Sequence, residues 1–367
     1  MTQAAVAYAT NQPLDVVDVS LEEPRGSDVL VRIMASGLCH SDVSVQNGGL
    51  PMPMPMILGH EGAGVVEQVG SAVTSVAVGD HVVLSGIISC GRCGPCQDAR
   101  PNLCEWGLPT IMSGNQPDGA VRAHDGSGAG IRQFACLGTL AERVIVPELA
   151  VIAIPKDVPF EAAALVGCGV LTGVGAVFNR AKVHPGATVA VIGCGGVGLN
   201  VIQAARLVGA TKVIAIDLAA EKRDLAETFG ATDAIDATTE DVVARIQELS
   251  GGRGVDYAFE CVGNLKLVRQ AWDAVAADGT VVTIGVAPAG GIAELPGDEL
   301  WSTEKTLKCS LYGSGRPRVD MPLYIELYRQ GKLKLDELVT RRYALAAINE
   351  AIDDLNAARN ARGVVTF

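Results

Sequence analysis

Four of the ten cysteines in this 367-residue sequence lie close together. Their spacing is Cys90-x2-Cys93-x2-Cys96-x7-Cys104, in a segment that also contains several glycines. Close spacing lets a single turn present several thiolates to one ion, and four thiolates complete a tetrahedron without an open position. The pattern therefore predicts a structural zinc site. An iron–sulfur cluster, which four cysteines can also hold, is the alternative.

A second group of residues that can bind metals is scattered along the chain. Cys39 lies in GLCHSD, His60 in LGHEGAG and Cys168 in ALVGCGVLTG. Taken singly, each is more typical of a small buried residue or a hydrogen-bonded histidine than of a ligand. Together, two cysteines and one histidine would suit a catalytic zinc whose fourth position stays open for water or substrate. Glu61, beside His60, is a candidate for a group that supports these ligands.

A glycine-rich turn forms the third motif. Residues 187–192 are predicted to form a buried strand, followed by Gly193-x-Gly195-x-x-Gly198 and then a helix over 199–209. Without side chains at the three glycines, the turn can be tight and a pyrophosphate can approach the backbone at the helix N-terminus. The strand, turn and helix together predict a dinucleotide site.

The acid at the end of the following strand bears on which dinucleotide binds. Asp217 ends the predicted strand KVIAID, about twenty residues after the glycines. A carboxylate there binds the hydroxyls of the adenosine ribose and repels a 2′-phosphate, so NAD is predicted rather than NADP. Lys222 and Arg223 follow shortly afterwards, and these cations would favour NADP.

The elements that must position these residues are of two kinds. Residues 170–312 alternate between strand-like and helical stretches, which predicts an α/β, doubly wound parallel sheet. Residues 1–169 have many short Val/Ile runs broken by Gly and Pro, which predicts a mostly β domain. The tail, 313–367, is predicted to return to that domain through its strand RGVVTF. In the alternating region the further predicted strands are 233–236, 255–260, 280–286 and 306–312, and the further predicted helices are 220–229, 239–250 and 264–277.

Composition limits the classes of partner. Apolar residues make up 49% of the chain and charged residues 19%, which excludes a disordered chain. The net charge of −12 argues against nucleic acid as a partner. The N-terminal residues do not resemble a signal peptide, and we expect no apolar stretch near the ~20 residues that cross a bilayer. These features predict a cytoplasmic protein that has reduced cysteines and does not bind membranes.

With these motifs in this order, the chain resembles the zinc-containing medium-chain alcohol dehydrogenases from end to end. The most specific segment is GHE-x2-G-x5-G-x2-V, which begins at Gly59. GLCHSD, the four-cysteine segment, VGCGVLTGVGA, VIGCGGVG and ARGVVTF also follow in the family's order and spacing. The resemblance implies a GroES-like β catalytic domain, formed by residues 1–169 and 313–367, and a Rossmann NAD-binding domain, formed by residues 170–312.

The resemblance also implies roles for individual residues and two zinc ions per chain. The implied ligands are Cys39, His60 and Cys168 for the catalytic zinc, and Cys90, Cys93, Cys96 and Cys104 for the structural zinc. Ser41 would take the substrate proton, Asp42 would orient His60, and Glu61 would lie near the metal. The implied cofactor contacts are His40 and Arg362 at the pyrophosphate, Thr172 near the nicotinamide, Gly193, Gly195, Gly196, Val197 and Gly198 in the turn, Asp217 at the ribose, and Lys222 and Val286.

The implied reaction is reversible hydride transfer between NAD and a small alcohol or aldehyde, with zinc polarising the substrate oxygen. Gly86 stands where many members carry a bulky aromatic residue beside the substrate, and Leu50, Ile87 and Leu108 nearby are apolar. We therefore expect primary alcohols with bulky apolar or aromatic groups. Ser44 replaces the histidine that ends the proton relay in some members, so either the relay would end in water or deprotonation would be slower.

Other functions remain open. A glutathione-dependent formaldehyde dehydrogenase acts on substrates that carry carboxylates, for which residues 47–58 offer no charge. Cations elsewhere that could meet such a substrate are Arg100, Arg122, Arg132, Arg316 and Arg318. A non-catalytic NAD(P)-binding protein and a zinc-free reductase are further alternatives, and the three candidate ligands of the catalytic zinc count against both.

Two expectations concern assembly and mobility. The apolar strands over 280–312 lie near a sheet edge, which predicts a homodimer formed through that edge, with a tetramer as the alternative. The glycine content of 110–137 predicts a mobile loop.

Overall fold

The computed structural model describes all 367 residues, Met1–Phe367. They form two compact units. The first unit contains Met1–Gly169, Arg316–Gly331 and Leu335–Phe367, and the second contains Val170–Gly315 and Lys332–Lys334. The chain thus passes from the first unit to the second at 169/170 and back at 315/316, and it visits the second unit again at Lys332–Lys334, where the sequence predicts crossings only at 169/170 and 312/313.

Eighteen strands and twelve α-helices make up the two units. The strands are β1 (Thr2–Ala7), β2 (Asp15–Leu21), β3 (Asp28–Gly37), β4 (Met56–Ile57), β5 (Glu61–Val69), β6 (His81–Leu84), β7 (Ala123–His124), β8 (Gly130–Gln133), β9 (Arg143–Pro147), β10 (Val151–Ala153), β11 (Thr188–Ile192), β12 (Lys212–Asp217), β13 (Asp233–Asp236), β14 (Val255–Glu260), β15 (Val275–Thr283), β16 (Thr306–Cys309), β17 (Val339–Ala344) and β18 (Arg362–Thr366). The helices are α1 (His40–Gln46), α2 (Gly94–Gln97), α3 (Gly107–Ser113), α4 (Phe160–Leu165), α5 (Leu171–Gly175), α6 (Gly196–Leu207), α7 (Ala220–Thr228), α8 (Val242–Leu249), α9 (Leu265–Ala274), α10 (Glu299–Ser302), α11 (Pro317–Arg329) and α12 (Ile348–Asn356).

The first unit is mostly β, as predicted. Strands β1, β2, β7, β8 and β4 close a small barrel, and a second sheet has the order β10-β6-β5-β3-β18-β17, with β9 paired to β3. β3 is central to this sheet, and its Val29, Val31 and Ile33 side chains are fully buried. Each such side chain contributes about 1.5–3 kcal/mol of hydrophobic stabilisation. The tail returns to this unit as predicted, because β18 pairs antiparallel with β3.

The segment 110–137 is folded, so the expectation of a mobile loop over its whole length is wrong. Its strands β7 and β8 pair with each other and join β2 to β4, which closes the barrel. Two buried polar side chains tie it down. Gln116 donates to the carbonyl oxygens of Cys136 and Ile145, and the Arg122 guanidinium binds Asp28. Glycine content therefore marks tight turns here.

The second unit contains the predicted parallel sheet. Its six strands run in the order β13-β12-β11-β14-β15-β16, the doubly wound arrangement in which ligands bind outside the carboxyl ends of the strands. β13 and β14 have the predicted bounds. β15 begins five residues earlier than predicted, at Val275, because Val275 pairs with Val255 across a register shift.

One helical stretch departs from the expectation about membrane spans. The 22 residues Phe160–Ala181 contain an 18-residue window with mean hydropathy 1.7, long and apolar enough to cross a bilayer by length and composition alone. However, 89% of this window is buried inside the protein, which is the environment of a core helix. Its α-helical turns, α4 and α5, are separated by a π-helical turn, Val166–Val170.

Candidate functional site

Cys39, His60, Glu61 and Cys168 come together in the first unit. Their ligating atoms all lie within 4.8 Å of one another, and all four residues are buried. Cys39 precedes α1, His60 and Glu61 lie at the start of β5, and Cys168 lies in the π-helical turn. π-Helical turns are rare and are frequent at functional sites. The fold thus brings together the four residues that the sequence singles out but cannot place.

Asp42 holds two of these residues in position. The backbone N–H of Cys39 donates to Asp42 Oδ2 at 3.0 Å, and Nδ1 of His60 lies 3.2 Å from Asp42 Oδ1. The backbone N–H of Gly59 donates to the same Oδ1 at 2.9 Å. Because a carboxylate accepts the proton of Nδ1, the other ring nitrogen of His60 is left to act as a ligand. Asp42 therefore has the contact with His60 that the resemblance implies.

Arg362 lies against Glu61 in the interior. Its Nη2 donates to Glu61 Oε1, and both side chains are buried. The other carboxylate oxygen, Oε2, is buried and has no hydrogen-bond partner. An added Cβ at Gly37 would lie 2.2 Å from Oε2, so only glycine leaves room for this carboxylate. The sequence predicts Arg362 as a pyrophosphate contact and gives no sign of its pairing with Glu61.

The buried groups alter one another's pKa values. A hydrogen bond with Cys168 and the proximity of His60 hold the pKa of Cys39 well below its usual value, although burial opposes this. The same hydrogen bond, together with burial, raises the pKa of Cys168 well above its usual value. Burial disfavours the imidazolium, but the Asp42 carboxylate outweighs it and raises the pKa of His60. The cluster therefore favours a thiolate on Cys39.

This cluster fits a catalytic zinc ion. Two cysteine sulfurs and one imidazole nitrogen are ligand types that catalytic zinc takes in proteins, and they leave a fourth position for substrate. A carboxylate oxygen of Glu61 lies among them as an additional donor, and Oε2 of this side chain has no hydrogen-bond partner. Thus Cys39, His60 and Cys168 can hold the metal, while Glu61 is held back by Arg362.

The four-cysteine segment forms a second cluster in the first unit. The sulfur atoms of Cys90, Cys93, Cys96 and Cys104 all lie within 4.8 Å of one another. Backbone N–H groups point at the sulfurs, for example from Cys90 and from Gly107 to Cys104 Sγ at 3.3 and 3.2 Å. Backbone hydrogen bonds lower the pKa of Cys90 to about 6, whereas burial and Cys93 raise the pKa of Cys96 to about 12. Four sulfurs fit a closed structural zinc site.

Helix α1 carries the residues implied for proton transfer. Ser41 lies in its first turn, and its Oγ is 3.7 Å from Cys39 Sγ. Ser44, one turn further, is half-buried, and His40 is exposed. A hydroxyl beside a zinc ligand is in a position to exchange a proton with a bound alcohol.

The glycine turn of the second unit has the geometry that phosphate binding requires. Gly193 has φ +93, which favours glycine, and an added Cβ at Gly198 would lie 1.8 Å from the carbonyl oxygen of Gly193. At Gly195, by contrast, nothing lies within 4 Å of an added Cβ. The first and third glycines therefore allow the turn and the close packing of the helix, and the second faces open space where a pyrophosphate fits.

The remaining predicted cofactor contacts lie in the same unit. Asp217 ends β12, and its carboxylate accepts from the backbone N–H groups of Cys194 and Ala219 at 2.8 and 3.0 Å. Lys222 is half-buried on α7, Val286 is exposed just after β15, and Thr172 is buried in α5. Gly196 and Val197 begin α6.

Sequence reasoning missed Glu260, which ends β14 beside the end of β11. Its Oε1 accepts from the backbone N–H groups of Val262, Gly263 and Asn264 at 2.7–3.3 Å. This carboxylate therefore fixes the turn that packs against Gly193, where an added Cβ would meet the Val262 side chain at 2.6 Å. The sequence signal that could have identified Glu260 is an acidic residue at the end of a buried strand.

Known proteins with similar sequences and structures point to one family. Two family models match, "Alcohol dehydrogenase GroES-like domain" over residues 25–156 and "Zinc-binding dehydrogenase" over residues 196–330. The NDMA-dependent alcohol dehydrogenase of Amycolatopsis methanolica is 41% identical over 99% of this chain and 98% of its own length. The S-(hydroxymethyl)glutathione dehydrogenase of Paracoccus denitrificans is 39% identical over 100% of both chains.

A solved structure is also similar over its whole length. The benzyl alcohol dehydrogenase of Acinetobacter calcoaceticus superposes with a TM-score of 0.94 at 33% identity, covering 100% of this chain and 99% of that one.

Proposed function

The chain belongs to the zinc-containing medium-chain alcohol dehydrogenase family and is an NAD-dependent oxidoreductase, and we propose that its substrates are bulky primary alcohols and aldehydes. The observation that carries this proposal is the buried cluster of Cys39, His60 and Cys168 with Asp42 and Glu61 behind it. Gly86, buried after β6, supports the bulky substrate, because the resemblance implies an aromatic side chain at this position in many family members. The likeness to a benzyl alcohol dehydrogenase supports it as well.

Each side chain in the cluster would have a distinct task. Zinc supplies Lewis acidity at the substrate oxygen, and NAD accepts the hydride, when both are bound. Cys39, His60 and Cys168 would hold the catalytic ion, and Asp42 keeps His60 in the tautomer that leaves one ring nitrogen free. Ser41 would accept the hydroxyl proton of the alcohol and pass it towards solvent. With Ser44 in place of a histidine, water would complete that path.

The second unit would hold NAD. Gly193, Gly195 and Gly198 would bind the pyrophosphate together with the first turn of α6. Asp217 would bind the adenosine ribose, and Lys222, Thr172 and Val286 would add contacts. Arg362 would act through Glu61, since its guanidinium already binds that carboxylate.

A glutathione-dependent formaldehyde dehydrogenase is the second candidate, because relatives with that activity are 39% identical. Three of the five candidate cations for a glutathione carboxylate already have partners within the protein. Arg122 binds Asp28 and Asp118, Arg316 binds Asp320, and Arg318 donates to the carbonyl of Glu148. These arginines already serve the fold, so we rank this activity second.

One experiment separates the candidates. Zinc per chain is measured alongside NAD reduction with ethanol, benzyl alcohol and cinnamyl alcohol, and with formaldehyde in the presence and absence of glutathione. We expect two zinc ions per chain and rates that rise towards the aromatic alcohols. Activity on formaldehyde that requires glutathione would favour the second candidate. One zinc ion and no turnover would contradict both.

We further propose a cytoplasmic homodimer joined along β16. This strand pairs only with β15, so its outer edge is open, and Leu307 and Leu311 on and after it are exposed. Trp301, nearby in sequence, is 79% exposed. Light scattering should give twice the chain mass, and Leu307→Lys should shift it towards the monomer. A monomeric wild type would contradict the dimer, and a mass of four chains would indicate the tetramer.

A further inference from the structure

Arg223 on α7 is held at the edge of the sheet where the adenosine ribose would bind. Its Nη1 donates to the carbonyl oxygens of Asp217 and Leu218, each at 3.0 Å. Its Nη2 donates to Asp236 Oδ2 at 2.8 Å. Acceptors at the ends of β12 and β13 therefore engage three of the five N–H donors of the guanidinium, and 15% of the side chain is exposed.

Asp236 is itself fixed. It ends β13 directly opposite Asp217 in the parallel register. Its Oδ1 accepts from both the backbone N–H and the hydroxyl of Thr238, at 2.9 and 2.6 Å. These hydrogen bonds, with the nearby Arg223 guanidinium, lower the pKa of Asp236, so the carboxylate stays ionised at neutral pH. Because Thr238 anchors one oxygen, the carboxylate cannot follow Arg223 away from the strand end.

Binding of a 2′-phosphate at this edge would need two changes. The Asp217 carboxylate, which two backbone N–H groups hold in place, would have to stop repelling the phosphate. A cation would also have to become free, and arginine is the residue best suited to bind a phosphate through two hydrogen bonds. Arg223 is at hand, but three of its five N–H donors are engaged, one by Asp236 and two by carbonyl groups, and these contacts hold the guanidinium at the strand ends.

We propose that Asp236 is a specificity-determining residue: by binding Arg223 it withholds that guanidinium from a 2′-phosphate, and so it reinforces the preference for NAD over NADP. Asp217 excludes the phosphate by repulsion, whereas Asp236 excludes it by occupying the cation that would bind it. The inference rests on the proposed binding of NAD at this edge of the second unit.

Calorimetry with two nucleotides tests this without enzyme turnover. The zinc-loaded protein is titrated with 5′-AMP and with adenosine 2′,5′-bisphosphate, which differ only in the phosphate at the ribose. We expect Asp236→Asn to tighten binding of the bisphosphate about fivefold relative to 5′-AMP. The gain should disappear in Arg223→Gln/Asp236→Asn. The proposal would be overturned if Asp236→Asn left the ratio of the bisphosphate affinity to the 5′-AMP affinity unchanged. It would also be overturned if the gain in bisphosphate affinity persisted without Arg223.

Asp233→Asn is the matched control. Asp233 lies at the other end of β13 and forms an ion pair with Lys212 of β12. Asp233→Asn therefore removes one negative charge from β13, as Asp236→Asn does. It should leave the ratio unchanged, and a gain equal to that of Asp236→Asn would show that net charge alone is responsible. Failure of the wild type to bind either 5′-AMP or NADH would overturn the cofactor site itself, and the inference with it.

A second pair of variants does not depend on the folding of Asp236→Asn. In an Asp217→Ser background with Asp236 intact, Arg223 should contribute nothing to bisphosphate binding. Adding Arg223→Gln to Asp217→Ser should therefore leave the affinity for the bisphosphate unchanged. A loss of affinity on that addition would show that Arg223 already reaches the phosphate, which contradicts the proposal.

Discussion

The two cysteine clusters of the first unit differ in how they are built. Cys90, Cys93, Cys96 and Cys104 lie within one short segment, and backbone N–H groups surround their sulfurs. The cluster of Cys39, His60 and Cys168 is assembled from distant segments, is fully buried, and is supported by charged side chains instead.

This difference indicates that the four-cysteine cluster stabilises the fold, whereas the buried cluster takes part in the reaction. A cluster of four sulfurs satisfied by backbone groups has no vacant position, so its metal can only tie a segment together. The buried cluster has mixed ligands, and the carboxylate Glu61 beside them has one unpaired oxygen. Four variants test this contrast, beginning with the one for which we expect the largest effect.

Removal of a ligand from the buried cluster should abolish activity while sparing the fold. His60→Ala should lose one of two zinc ions and lower kcat/KM by about 10³-fold, more than the 10- to 100-fold typical for the loss of an outer partner. Metal analysis and steady-state kinetics measure both effects. His184→Ala, which removes an exposed histidine, is the control. Normal activity in His60→Ala would refute the assignment of the catalytic site.

Removal of a sulfur from the four-cysteine cluster should give the opposite result. Cys104→Ser should also lose one zinc ion, but its main effect should be a lower Tm, by about 10 °C, because metal binding there contributes to folding. The activity of molecules that remain folded should fall much less than in His60→Ala. Ser71→Ala, at an exposed residue of the first unit outside both clusters, should change neither quantity. Equal loss of activity in the two ligand variants would remove the contrast.

Asp42→Asn should produce an intermediate effect confined to the buried cluster. The amide can still accept one hydrogen bond, but it no longer carries the charge that fixes His60, so zinc affinity or activity should fall about 10- to 100-fold. Competition with a chelator measures the affinity. Asp353→Asn, at an exposed aspartate, should have no effect. A wild-type affinity in Asp42→Asn would mean that His60 is oriented by packing alone.

The smallest effect concerns selectivity. Gly86→Phe should lower kcat/KM for benzyl alcohol about tenfold more than for ethanol, because the ring would occupy the space left for a bulky substrate. Gly86→Ala should change the same ratio only slightly. Equal losses on both alcohols would show that Gly86 does not line the substrate pocket.

Local patterns predicted the second unit well. The strands 233–236 and 255–260 have the predicted bounds, because the turn glycines Gly230 and Gly254 mark where each strand can begin. The start of β15 was missed because Asp278 and Gly279 interrupt its apolar pattern, although Val275 still pairs with Val255. Strands β7 and β8 are only two and four residues long, and so carry too little alternation to be recognised.

Contacts between distant segments could not be read from the residues alone. The pairing of Glu61 with Arg362 joins positions 301 residues apart, and each residue by itself is typical of an exposed charge. Likewise, the convergence of Cys39, His60 and Cys168 was available only through the resemblance to a family. The four-cysteine cluster needed no such help, since its spacing alone brings the sulfurs together.

The 301 residues between Glu61 and Arg362 also determine the order in which these residues are synthesised. At about 5–20 residues per second, the ribosome would add Arg362 roughly 15–60 s after Glu61. All three candidate ligands of the buried cluster emerge before the arginine that neutralises the carboxylate beside them. During that interval the central strand β3 also lacks its partner β18, so the nascent chain carries an open sheet edge next to Cys39. Chaperone protection and delivery of zinc would matter most in this window.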